Sequence, residues 1–598
     1  MKTRMKTSAK LFFVVIFMSA AYGAVHFSMA RGLIPTPGIM KALIPEKAVL
    51  PDVTDSKSTA SGPIAAPVMG AVANVQSTMI RGAIWEWNAQ MGMIFANGGS
   101  RPAKGSLMEK HGVNLMLYRQ DDTNKMQEDL IACAKEIHDG AKQCSTGANF
   151  VVIMGDGAGQ FIAAVNPQLK KIGDSLEVIG AVGYSRGEDC FMAPPSVKQN
   201  PQNAKGLLVS GVLRDGDWNI AMKWMADNGV KNNPDEKTYD ADAVNWINAT
   251  DYNTAAADYV AGKCEDRKVV KDGALTGEVK HVCVNATVTW TPGDVTVVQK
   301  KGGLVKVVSS KEYRSQMPSV ITGSKTFFDA NRKEVTEMLS AIFEGGDQVR
   351  SYDSALKQAS AISAKLYADM DAAYWYRYFK GTVETDREGN KVSLGGSAVC
   401  NLADNLILFG LMPGSNDNFR STYSTFAKIV LQQYPELFKD TPIPDVKEIE
   451  DKSFITAAQA QMSDPGSAAD VPVFNGSANG AVVSKKNYSI NFDTGKATLT
   501  AGGIQQLAEL KDSISITGLF IQIDGFTDNT GNEAKVNLPL STARAQAVKA
   551  FLQKVAPENF PNSRFAVSGH GSQQPVQPND TAVGRAANRR VQITLIEQ

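Results

Sequence analysis

The chain has 598 residues, and its 62 Lys and Arg nearly balance 61 Asp and Glu for a formal net charge of +1. At roughly 150 residues per domain, that length implies two to four domains. The charge balance excludes general electrostatic nucleic-acid binding, the 43% apolar content excludes wholesale disorder, and five histidines with no HExxH or CxxC motif call for no metal and no cofactor.

Lys2, Arg4, Lys6 and Lys10 precede residues 11–30, which carry no charged side chain. A basic flank before about 20 mostly apolar residues marks an export signal or a membrane anchor. We read 1–30 as one N-terminal hydrophobic helix that anchors the chain in the inner membrane, basic end inside. A signal peptide cleaved after Ala21 is the alternative. Either reading places the remainder outside the cytoplasm. Residues 31–77 hold Pro35, Pro37, Pro45, Pro51, Pro63 and Pro67 and read as an extended tether.

From residue 78 the pattern alternates between strand and helix. MIRGAIWEW reads as a strand, and 125–139 carries helical spacing. ANFVVIM and LEVIGAVGY are short apolar runs bounded by glycines, which read as buried parallel strands. Further helices fit 329–345 and 353–369. This alternation over 78–440 predicts an α/β architecture. Residues 441–485 contain TPIPD, SDPGSAAD and NGSANG, and read as an interdomain linker with one short helix at 446–462. Residues 486–598 read as a compact unit of strand, helix, strand, long helix, strand, short helix and strand.

The six cysteines are Cys133, Cys144, Cys190, Cys264, Cys283 and Cys400. Outside the cytoplasm an even number suits disulfides. Cys133–Cys144 and Cys264–Cys283 are the local pairs, which leaves Cys190 with Cys400. Six free, buried thiols are the alternative.

Large α/β sheets bind ligands at the carboxyl ends of their strands, often between two lobes. Trp85 and Trp87, Gly155-Asp156-Gly157, the run from Tyr184 to Asp189, and Trp290-Thr291-Pro292 all fall at such ends. Trp87, Asp156, Ser185 and Trp290 are the candidate solute-binding residues. The stretches IRGAIWEWNAQMGMIFANGG, HVCVNATVTWTPGDVTVVQKKGGLVKVVSS and MPSVITGSKTFFDANRKEVTEMLSAIFEGG resemble periplasmic solute-binding proteins of ABC importers, in the nitrate/sulfonate/taurine (NMT1-like) group. The resemblance implies two lobes that close on a small solute, with Trp290 and Pro292 near the hinge. It does not identify the solute.

In the last unit, Asp528 lies in the polar turn that ends LFIQIDGFTDNTG. Pro539 and Ser541 predict a helix capped by Ser541, with Arg544 in its first turn. A carboxylate and a guanidinium on one rim suit a zwitterion: Asp528 takes an ammonium, and Arg544 forks onto a carboxylate near the helix N-terminus. A plain Asp–Arg ion pair is the alternative.

The ordered run Gly525-Phe526-Thr527-Asp528-Asn529-Thr530-Gly531, then Asn537, Leu540-Ser541, Arg544-Ala545 and Val548, then Gly569-His570-Gly571, Gly584-Arg585 and Asn588-Arg589-Arg590-Val591, resembles the OmpA-like (OmpA/MotB C-terminal) peptidoglycan-binding domain. The resemblance implies binding of the diaminopimelate residue of the wall stem peptide by Asp528 and Arg544, with Thr527, Asn537 and Arg590 in support. The connection 555–563 looks longer and richer in proline than the family's.

The predicted fold class is therefore α/β and multidomain. A two-lobed periplasmic-binding-protein-like domain at 78–440 precedes a smaller OmpA-like α/β domain, a mixed sheet with helices, at 486–598. No triad, nucleophile elbow or metal motif points to an enzyme. The expected partners are peptidoglycan, a small-molecule solute, and the membrane through an uncleaved N-terminus, with no nucleic acid. A wall-anchored scaffold whose middle domain serves as spacer or partner platform is the alternative function.

Overall fold

The computed structural model describes residues 67–598 apart from 467–472, 491 and 494. The expected hydrophobic helix at 11–30 and the tether as far as residue 66 lie outside the described residues. Among the described residues, no helix is long and apolar enough to cross a membrane.

Two six-stranded sheets build two lobes. The first runs Ser397–Val399, Leu176–Ser185, Pro318–Ser324, Phe150–Met154, Met79–Ile84 and Asn114–Arg119 in spatial order. The second runs Val305–Ser309, Cys190–Ala193, Ala286–Thr289, Leu208–Gly211, Ala243–Asn248 and Lys231–Asn232. The chain crosses from the first sheet to the second at 186–189 and returns at 310–317. The crossings lie side by side: the Ser185 and Ser310 hydroxyls are 2.5 Å apart, and Gly187 N donates to Ser310 Oγ at 2.8 Å. Paired connections of this kind are where a two-lobed domain hinges.

Helices cover both sheets. Thr123–His138 starts where Asp122 accepts from the Asn124 and Lys125 amides. Arg332–Ser351 and Asp353–Tyr367 occupy the predicted positions. The Phe150–Met154 strand is parallel to Met79–Ile84, as expected, but antiparallel to Pro318–Ser324 on its other side. The Leu176–Ser185 strand is not parallel to its neighbours; it pairs antiparallel with Pro318–Ser324 and Ser397–Val399. All of its residues are buried. Cover on both faces produces a continuous apolar run whatever the strand direction.

The C-terminal sheet is mixed. Its order is Val482–Tyr488, Val591–Ile596, Phe520–Gly525 and Phe565–Gly569, with only the last two parallel. The edge strand is Val482–Tyr488, and Phe492 bridges Leu499 antiparallel near Gly495, which takes φ +68°. Thr500 caps the Ala501–Ser515 helix through the Gly503 amide. The long helix spans Leu538–Val555 and starts before Ser541. A proline in the first turn removes only an amide that would have no partner there, so Pro539 does not delay the helix. Ser541 is therefore not the cap; its hydroxyl donates to Leu538 O and accepts from Gly571 N. Arg564 is 2% exposed and makes five hydrogen bonds, to the carbonyls of Leu519, Asn559, Ile514 and Thr517 and to the Thr517 hydroxyl.

This module packs on the second lobe and on the Asn418–Gln433 helix. Lys223 Nζ meets Ser513 Oγ at 3.1 Å, Asn228 Nδ2 donates to Val483 O at 3.0 Å, and Ser421 Oγ donates to Asp512 at 2.7 Å. Within 441–485, helices form at Val446–Ile449 and Ser453–Gln461, and Phe454 and Ile455 are buried.

Cys133–Cys144 and Cys264–Cys283 are bonded. The third expected pair is not formed: Cys190 and Cys400 are free and buried. Cys190 starts a strand of the second sheet, with its thiol on Thr289 O, whereas Cys400 follows the Ser397–Val399 strand of the first sheet. The two lobes hold them apart.

Candidate functional sites

In the C-terminal module, the turn after Phe520–Gly525 presents Asp528 and the Leu538–Val555 helix presents Arg544. Asp528 Oδ1 accepts from Thr530 N at 2.9 Å, and Oδ2 accepts from Arg589 Nη1 at 2.6 Å. Burial pushes this carboxyl up, but the bonds from Arg589 and Thr530 outweigh it and hold the group below the usual carboxylate range. Arg544 Nε donates to Lys496 O at 3.1 Å, and its guanidinium lies 5.1 Å from the Phe492 ring. Burial lowers the Arg544 pKa, the Arg589 charge adds to that, and Asp528 opposes it. Asp528 thus bonds Arg589 directly and lies within electrostatic reach of Arg544, with no direct bond between the two predicted partners.

Arg589 was not among the predicted residues. The sequence shows two adjacent arginines, and strand alternation tells them apart only when the register is known. Arg590 points the other way. It lies 3.7 Å from the Phe526 ring centre and bonds Asn487 Oδ1 and Gln574 O. Thr527 donates its amide to Gly571 O, and its buried hydroxyl lacks a partner. Asn537 is buried and bonds Glu533 at 3.4 Å, in the turn that leads into the helix.

In the middle domain, the lobes meet at the carboxyl ends of their strands. Trp87 and Trp290 stack with ring centres 6.4 Å apart and planes 20° apart. Trp85 meets Trp290 edge-on at 5.7 Å, and Tyr252 packs on Trp290 at 4.4 Å. Trp85 and Trp87 follow the first-lobe strand Met79–Ile84, whereas Tyr252 and Trp290 follow second-lobe strands, so the aromatics close the cleft. Asp156 Oδ2 accepts from Gln316 Nε2 at 2.9 Å, and its backbone carbonyl accepts from Asn219 Nδ2 at 3.3 Å. Burial raises the Asp156 carboxyl well above its usual range. Ser185 is separate from these residues; its hydroxyl is engaged in the hinge by Ser310 and the Asp189 amide. The close approach of the lobes needs glycine at two points. A Cβ on Gly157 would stand 3.0 Å from Asp215 Oδ1, and one on Gly216 would stand 2.0 Å from Met154 Sδ. A cavity of about 490 Å³ opens beside this contact, with Trp85, Gln160 and Asp215 in its wall; Trp87, Asp156, Ser185 and Trp290 do not line it.

Two other clusters have metal-ligand residue types. Cys264, His281 and Cys283 are close, but the cysteines are joined in a disulfide. Glu177, Asp329 and Asp451 are close, and Lys325 Nζ supplies the cation at 3.0 Å from both Glu177 and Asp329.

Residues 491–589 match the OmpA family. The chain is 41% identical to outer membrane protein A of Bordetella avium along 111 residues, which are 18% of this chain and 55% of that protein. It is 41% identical to the peptidoglycan-binding protein ArfA of Mycobacterium tuberculosis along 75 residues, 12% of this chain and 22% of that protein. The chain thus spans between 22% and 55% of the length of these curated relatives. The periplasmic nitrate-binding protein NrtA from Synechocystis PCC 6803 superposes on 65% of this chain and 92% of its own, with a TM-score of 0.44 and 12% identity.

Proposed function

We propose that the chain is a non-catalytic cell-envelope protein that grips peptidoglycan through its OmpA domain and holds a small solute between the lobes of its middle domain. The observation that carries the wall reading is the rim of Asp528, Arg544 and Arg589. The second guanidinium leaves positive charge in surplus, which suits a carboxylate. The ammonium of the same zwitterion displaces Arg589 from Asp528. The diaminopimelate side chain ends in such an amino-acid group. Thr527 and Arg590 shape the loop behind the clamp, and Asn537 shapes the helix start. The similarity to ArfA, a peptidoglycan-binding protein, supports this reading.

The module limits that go with it are 78–440 for the solute-binding-like domain and 486–598 for the OmpA domain, joined by 441–485. Residues 11–30 serve export or anchoring, which places both modules in the periplasm.

The test is co-sedimentation of the full chain with purified sacculi. Diaminopimelate-type walls should pull the chain down, and free meso-diaminopimelate should compete. Equal capture by walls whose stem peptides carry lysine would refute the zwitterion clamp.

A further inference from the structure

The wall reading leaves a set of buried acids in the interlobe cleft without a role. Asp156 follows a first-lobe strand, Asp189 sits in the crossing at 186–189, and Asp217 lies in the first turn of the second-lobe helix Gly216–Asn228. Each is at most 1% exposed. Asp189 and Asp217 face each other carboxyl to carboxyl. Apart from this mutual contact and the Ser185 hydroxyl beside Asp189, no donor reaches the Asp189 and Asp217 carboxyls, and none reaches Oδ1 of Asp156. Asp215 adds a fourth acid, with the Thr123 hydroxyl 3.5 Å away and Tyr252 beside it.

The nearby cation is already engaged, since Lys306 Nζ lies 2.8 Å from Asp294 Oδ2. Glu188 also needs nothing more, because Asn88 and Ser397 donate to it.

A second feature points the same way and does not involve the acids' own charge. Gln316 and Asn219 are both 0% exposed, and their amide nitrogens are fixed by the bonds to Asp156. That leaves Gln316 Oε1 and Asn219 Oδ1 beside Asp156 with no donor. Gln316 Oε1 and Asn219 Oδ1 are therefore acceptors beside the acids whatever the protonation of Asp156, Asp189 and Asp217. Buried acceptors and acids are costly to leave unmet, so the complementary group is a positively charged donor. The aromatic rings next to them suit the apolar part of such a molecule and attract its charge.

We propose that the cleft binds a small organic cation bearing N–H donors, an amine or a guanidine, with Asp156, Asp189 and Asp217 neutralising its charge, Gln316 and Asn219 accepting its hydrogen bonds, and Trp85, Trp87, Trp290 and Tyr252 covering its carbon skeleton. This rests on the reading of the middle domain as a solute binder and names the class of solute. Burial raises the Asp189 carboxyl to about 6 and the Asp217 carboxyl well above its usual range, which marks how poorly these buried carboxyls tolerate their own charge.

The experiment is calorimetric titration and thermal shift of the full chain with putrescine, agmatine, tetramethylammonium, calcium, nitrate and taurine. Putrescine or agmatine should bind and raise Tm in a dose-dependent way. Tetramethylammonium, which has no N–H donor, should bind at least about tenfold more weakly. Asp217→Asn should weaken the amine by at least about tenfold while raising the Tm of the unliganded chain, so loss of binding is separable from loss of fold. Binding of nitrate or taurine in place of the amines would overturn the solute class and keep the solute-binding reading. Tighter binding of calcium than of any amine would overturn the organic cation. Silence across the whole panel would overturn both the class and the solute-binding reading, and leave the middle domain as a spacer. The wall assay is independent of all these outcomes.

Discussion

The most direct perturbation of the wall site is Asp528→Asn. The substitution keeps an oxygen for the Thr530 amide, which Asp528 Oδ1 accepts at 2.9 Å. It removes the charge that Arg589 reaches at 2.6 Å. The Arg589 side chain is 46% exposed, so its ion pair contributes about 1 kcal/mol or less to stability. The fold should therefore be nearly indifferent. Binding should not be. The Asp528 side chain is only 11% exposed, and a charge-assisted hydrogen bond at such a position is worth about 2–3 kcal/mol. Losing it corresponds to a fall in affinity of about 30- to 150-fold. The measurement is co-sedimentation of the full chain with diaminopimelate-type sacculi at fixed ionic strength, beside a melting curve of the same preparation. Arg544→Lys is the companion variant; it keeps the charge but loses the planar fork and should also weaken binding. If Asp528→Asn melts like wild type and binds within threefold of it, the carboxylate is not the ammonium partner and the clamp is wrong.

Three further outcomes are expected. Arg564→Met removes five hydrogen bonds from a buried site and strands at least three carbonyls, so the C-terminal module should lose at least about 3 kcal/mol, read by calorimetry as a Tm lower by about 10 °C or more; an unchanged transition would refute the role. Iodoacetamide should label neither Cys190 nor Cys400 in the native chain and both in the unfolded, unreduced chain, counted by mass; a native Cys190–Cys400 bond would give no labelling in either state. Asp189 and Asp217 carry raised carboxyl pKa values, so between about pH 4 and pH 6 and above, the native state keeps protons that the unfolded chain has released. Stability of the unliganded protein should fall as pH rises through that window, and Asp217→Asn should flatten the slope; equal slopes in the two proteins would count against the coupled pair.

Much of the scaffold was readable because it obeys local rules. The run of five buried residues in Phe150–Met154 and the 3.6-residue spacing of Arg332–Ser351 follow from which faces are covered. Strand direction was not readable for Leu176–Ser185, since full burial erases the alternation that separates an open antiparallel sheet from a covered one. The helix start at Leu538 was displaced for a different reason. Proline is a stop signal inside a helix and a start signal in its first turn, and only the backbone reveals which role Pro539 has.

The candidate sites divide along the same line. Asp528 and Arg544 were legible because the motif that contains them is short and ordered along the chain. Arg589 was not, because its reach to Asp528 depends on the register of Val591–Ile596 beside Phe520–Gly525. In the middle domain, Trp87, Asp156 and Trp290 stand at strand ends, where a local pattern points. Asp189 falls in the Tyr184–Asp189 run at a strand end, where Ser185 was singled out instead, and Gln316 stands in the second crossing, where nothing near it in sequence says that a crossing is also a wall of the cleft. The crossing at 310–317 carries a further burden. Gln316 holds Asp156, while the preceding Ser315 amide donates to Ile516 O at 2.9 Å and the Gly518 amide donates to Glu312 O at 3.1 Å. One eight-residue connection therefore touches the cleft on one side and the OmpA domain on the other. Composition divides the chain into modules separated by a Pro- and Ser-rich linker, and that division is a statement about which segments can bury a core. It carries no information about where the modules come to rest, because docking is decided by single polar contacts between surfaces that no periodicity marks.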